Sequence, residues 1–163
     1  MPSTYTPLQT QTLGSDAASV TFSSIPSTYT DLVIVINGGQ VTADNYYGIR
    51  FNGDTTTNYS NTQVVGNGST ATSNRNSNQN VGYIHSTNQV SIADTVIVNV
   101  FNYANTTTYK TSISRGNSAA YRVVASVVLW RKTPEAINSI SILGGGVNLL
   151  SGSTFTLYGV KSA

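Results

Sequence analysis

The chain carries one histidine, His85, and six acids: Asp16, Asp31, Asp44, Asp54, Asp94 and Glu135. A serine hydrolase would need His85 to meet both a hydroxyl and a carboxylate in a cleft, because the imidazole takes the nucleophile's proton while the acid orients the ring. His85 lies in VGYIHS, an alternating segment that reads as a strand, so its expected role is structural. The acids do not fall at EF-hand or facial-triad spacing, and Asn52-Gly53-Asp54 reads as a turn, so no metal site is expected. Glycoside hydrolysis needs two acids across one cleft, and six acids in all give that arrangement little material. Gly144-Gly145-Gly146 lacks the flanking pattern of a phosphate-binding loop and reads as a turn. No catalytic residue and no cofactor site is assigned, and no enzyme is expected.

Binding residues are better represented than catalytic ones. Ten tyrosines and one tryptophan stand among Ser, Thr and Asn, a mixture suited to a sugar site or a subunit interface. Trp130 falls between Leu129 and Arg131 in an apolar segment and is expected in the core. Tyr46, Tyr59 and Tyr109 are expected to be exposed, and Arg75 and Arg115 are grouped with them as candidate interface residues. The sequons at Asn58, Asn67 and Asn105 read as unmodified polar loop positions.

Composition narrows the classes further. Charged residues make up 9% of the chain, against roughly 25% in ordinary soluble domains, so the surface is neutral and rich in hydroxyls and amides. The net charge of +2 comes from scattered residues with no basic stripe, so nucleic acid is not an expected partner. Without cysteine there is neither a disulfide nor a thiolate metal site, and stability must come from packing or assembly. No apolar run reaches membrane-spanning length, and the N-terminal segment lacks the basic and apolar regions of an export signal.

The elements that must position these residues are strands. TYTPLQTQTLG is a candidate first strand, with Pro7 marking an edge, and residues 1–17 read as an arm or edge strand. SVTFSSI, DLVIVINGG and YYGIRF follow, the second apolar enough for burial on both faces and the third placing Tyr47, Ile49 and Phe51 together. Residues 55–80 hold only one short apolar pair and read as a long polar excursion at the surface. VGYIHS, ADTVIVNVFNYA, YKTSIS, AAYRVVASVVLWRK, INSISILGG and STFTLYGV complete the series. The valines in the 119–132 segment, followed by Thr133-Pro134, favour strand over helix. About ten strands without a helix indicate an all-β antiparallel sandwich, jelly-roll-like, with residues 18–163 as one domain.

Five segments carry a family resemblance: PSTYTDLV, RFNGDTTTNYS, TTTYKTSISRGN, LWRKTPEAINSISI and GSTFTLYGV. Across residues 18–160 the chain resembles a family of small structural proteins from tailed phages. The resemblance implies a virion protein assembled in the host cytoplasm, with Asn52, Asp54, Lys110 and Arg115 as fold or interface residues. The implied function is capsid decoration, cementing the head through contacts with the major capsid protein or other virion proteins. Copies would form a homo-oligomer, a trimer where capsomers meet at three-fold sites. The alternative is a tail, baseplate or fibre-tip protein that binds host glycan.

Overall fold

The computed structural model describes residues 4–38, 45–86, 94–118 and 122–161. Twelve strands form two antiparallel sheets, as expected for a jelly-roll-like sandwich. The strands are β1 (Tyr5–Thr12), β2 (Ser19–Phe22), β3 (Asp31–Gly38), β4 (Tyr46–Phe51), β5 (Tyr59–Gly66) and β6 (Ala71–Gln79), then β7 (Gly82–Ser86), β8 (Asp94–Phe101), β9 (Lys110–Ser118), β10 (Arg122–Trp130), β11 (Ile140–Leu143) and β12 (Thr154–Val160). The large sheet runs β1-β12-β3-β8-β9-β10-β5-β6 and the small one β2-β11-β4-β7.

Period-two alternation explains what faces inward. Leu32, Ile34 and Ile36 of β3 stand in register with Val100, Val98 and Val96 of β8, and Phe155 and Leu157 of β12 extend the layer. The small sheet answers with Val20, Phe22, Tyr47, Ile49, Phe51, Ile140 and Ile142, all buried. Val33 on the other face of β3 is also buried, in keeping with its continuous apolar run.

The expected polar excursion over residues 55–80 is instead two strands, β5 and β6, which close the large sheet on one side. β6 is polar on both faces because it is an edge strand held by its backbone ladder, so it needs no apolar alternation. Residues 1–17 are expected as an arm or edge strand, and β1 within them is the opposite edge of the large sheet, paired with the last strand, β12.

The inner faces of β9 and β10 carry buried serines where alternation would place aliphatics. Ser114 Oγ donates to the Ile84 carbonyl at 2.5 Å and Ser126 Oγ to the Tyr83 carbonyl at 2.7 Å. Both acceptors belong to β7, the edge strand of the small sheet, so hydroxyls of the large sheet bond directly to the backbone of the small one. Ser114→Ala is expected to lower the unfolding free energy by about 1–3 kcal/mol, read from urea denaturation, because a buried carbonyl loses its donor.

Candidate interaction surface

The register fixes what covers the outer face of the large sheet. One cross-strand row reads Val35, Ile97, Arg115, Ala125 and Val64, from β3 through β5. The adjacent row reads Tyr158, Val33, Asn99, Ile113, Val127, Thr62 and Arg75. Above and below them come Val123 on one side and Tyr5, Asp31 and Phe101 on the other.

Among the described residues the exposed large hydrophobic side chains are Tyr5, Val64, Phe101, Tyr109, Ile113, Val123 and Val127. All except Tyr109 belong to these rows. Val123 is 61% exposed and Val64 53%, so no layer built from the described residues covers these side chains. Two hollows mark the face. One of about 560 Å³ is lined by Val64, Ala71, Val123 and Ala125, and one of about 380 Å³ by Tyr5, Val35, Asn99 and Tyr158. Ile97 and Arg115 line both. Arg115 has no hydrogen-bond or ion-pair partner among the described residues.

Of the five residues expected at an interface, Arg115 is therefore at the centre of the apolar face. Arg75 is exposed on β6 at its margin, opposite Thr62. Tyr109 is exposed in the β8–β9 connection. Tyr46 is half-buried, its ring 4.1 Å from that of Tyr83, and burial and that neighbour raise its pKa. Tyr59 contradicts the expectation of exposure, because it is fully buried. It opens β5 on the inward side, stacks at 6.3 Å on Trp130, and accepts the Phe51 N–H at 2.9 Å. Burial pushes its hydroxyl well above the usual phenol range.

Trp130 lies in the core as its surroundings predict, and its Nε1–H donates to Asp54 Oδ2 at 2.7 Å. Asp54 also accepts from Thr56 and from Asn58 Nδ2. Burial alone would raise the Asp54 pKa, but the donors from Thr56, Asn58 and Trp130 outweigh it and hold the carboxyl at about 2. The unfolded carboxyl titrates near ~3.9, so this contribution, about 2–3 kcal/mol, is present above pH ~4 and lost as pH falls towards ~2. Asp54→Asn is expected to flatten that part of the stability profile, measured by denaturation at stepped pH.

Asn52 and Gly53, at φ of 51° and 65°, make the expected turn after β4. The Asn52 side chain then ties down the segment before β11: Nδ2 donates to Glu135 and Ala136, and Oδ1 accepts from Asn138 and Ser139. Sequon residues Asn67 and Asn105 likewise accept backbone N–H groups two and three residues ahead, closing turns.

His85 meets one of the two groups a hydrolase would require. Its Nε2 is 3.3 Å from Asp94 Oδ2, but both side chains are enclosed and His85 lines neither hollow. No hydroxyl among the described residues is hydrogen-bonded to it. Among the described residues there is also no group of three or more His, Asp or Glu side chains able to hold a metal ion.

No protein-family profile and no curated protein matches the chain. Among solved structures it is similar to the galectin LEC-6 of Caenorhabditis elegans, at 13% identity and a TM-score of 0.43 over 87% of this chain and 92% of that one. It is also similar to a Shewanella oneidensis protein of unknown function, at 10% identity and TM-score 0.26 over 98% and 80% of the two chains. A human SPRY domain follows at 9% identity and TM-score 0.22, over 93% and 97%.

Proposed function

We propose that this chain is a non-enzymatic structural subunit of a phage particle, a capsid decoration protein that acts by burying the outer face of its large sheet against a neighbour. The observation that carries the reading is the gathering of six of the seven exposed large apolar side chains among the described residues on one face of a chain rich in hydroxyls and amides and poor in charge. A face of that kind gains free energy when covered and adds it to the assembly it joins. The phage assignment rests on the five sequence segments described above.

A second reading is supported by the smaller hollow. Tyr5 and Tyr158 supply aromatic surface there, and Asn99 and Arg115 supply hydrogen-bond donors, the equipment of a sugar site on a tail or fibre-tip protein. Density or immunogold localisation in purified particles tests both readings. Signal over the head supports decoration. Signal confined to the tail, with glycan-array binding lost on Tyr158→Ala, supports the second.

A further inference from the structure

We infer that the occupant of the outer face is a second copy of this chain, docked about a two-fold axis that passes over Asn99 and pairs each Arg115 with the partner's Asp31. The inference rests on the proposed burial of this face and names what buries it.

Three observations converge. First, a ring of three copies needs two different complementary patches, whereas a two-fold contact needs one patch that matches itself. The described surface offers one apolar face, carrying six of the seven exposed large hydrophobics. Second, the face is broad enough to seat another copy: eight strands about 4.8 Å apart, with four rows about 7 Å apart, span on the order of 800 Å², of which a copy docked about a tilted axis covers the centre.

Third, the few charges on the face are complementary under that symmetry. Its rows carry only three charged side chains among the described residues: Arg115, Asp31 and, at the margin, Arg75. Arg115 has no partner among the described residues. Asp31 uses Oδ1 to accept the Asn102 N–H at 2.7 Å, and among the described residues Oδ2 has no hydrogen-bond partner. The two residues are separated by two strands and two rows, on the order of 17 Å, too far to pair within one chain.

Asn99 lies one strand and one row from each of them, at the midpoint between them. An axis in the plane of the face, over Asn99 and across the Asp31–Arg115 line, therefore exchanges the two positions between copies. Each guanidinium then meets a carboxylate in an apolar setting, which strengthens the contact and rejects other registers. The Asn99 amide meets its own copy, and an amide both donates and accepts, so it is self-complementary. Ile113 and Val127, both exposed, stand in the same row and supply the dry centre.

Light scattering and sedimentation of the purified full chain test this. The wild type is expected at twice the chain mass of 17.2 kDa at micromolar concentration. Val127→Asp and Arg115→Asp are each expected to give the single-chain mass, weakening association at least about a hundredfold, with unchanged circular dichroism. Arg115→Asp combined with Asp31→Arg is expected to restore the dimer, since the exchange preserves each pair across the axis. If Asp31→Arg disturbs the Asn102 turn, Asp31→Asn keeps the accepting oxygen and is expected to weaken the dimer without unfolding the chain. A wild-type monomer or trimer, or a dimer indifferent to Val127→Asp, overturns the inference. Incorporation of the same variants into particles separates it from the functional reading. A monomer that enters particles through this face sinks only the two-fold pairing, whereas Val127→Asp entering particles normally sinks the proposed use of the face as well.

Discussion

Trp130→Ala is expected to lower the unfolding free energy by about 3–5 kcal/mol. The side chain is 1% exposed and completes a buried aromatic group, with ring centroids 5.5 Å from Phe51 and 6.3 Å from Tyr59. Removing it opens a cavity that neighbours on paired strands cannot collapse to fill, since Trp130 is held in register with Tyr59 on one side and Lys110 on the other. It also takes one donor from the Asp54 carboxylate, leaving Thr56 and Asn58 to hold it. Trp130→Phe separates the two contributions, because it keeps most of the volume and removes only the N–H. Its expected cost is about 1–3 kcal/mol. Because the chain has one tryptophan, both variants are followed by circular dichroism in urea rather than by fluorescence. A Trp130→Ala protein within about 1 kcal/mol of wild type would show that the aromatic group does not hold the sandwich together.

Particular residues show what the sequence could reveal. The β-branched runs of β3, β8 and β10 announced strands because burial and branching act on the same side chains, and Trp130 was placed in the core by its apolar neighbours. β5 and β6 escaped because an edge hairpin needs backbone pairing more than apolar alternation, and ATSNRNSNQ has no hydrophobic period to read. Tyr59 is hard to place from sequence for the same reason: its polar surroundings hide its inward position at the start of β5. The serines of β9 and β10 look like solvent-facing positions until β7 is seen against them.

The outer face did leave a signal. In RVVASVVLW the paired valines put Val124 and Val128 inward and Val123 and Val127 outward, so the strand is apolar on both faces. A strand of an antiparallel sheet with one face in solvent alternates, and one that does not calls for a cover on both sides. The described residues supply a cover for one side only. The sequence offers Arg115 as an interface residue, but its place between the two hollows depends on the pairing of β8, β9 and β10, which no local pattern encodes.

Gly82→Ala is expected to destabilise the protein by about 1–3 kcal/mol, although alanine generally suits a strand better than glycine. A Cβ at Gly82 would lie 2.3 Å from Val128 Cγ1 and 3.1 Å from both Val128 Cγ2 and Ile49 Cγ2. None of these neighbours can give way easily: Val128 is fully buried on β10, between β9 and β5, and Ile49 is fully buried on β4. The change gains about 0.4–1 kcal/mol by restricting the unfolded chain, which is too little to offset the overlap. Gly14 provides the contrast, since nothing lies within 4 Å of a Cβ built there, and Gly14→Ala is expected to be neutral or slightly stabilising. Val128→Ala in the Gly82→Ala background is expected to cost less than it does alone, because the methyl groups it removes are those in conflict. Strict additivity of the two costs in urea denaturation would mean that β7 shifts away from β10 instead, and the serine bonds to the Ile84 and Tyr83 carbonyls would then weaken as well.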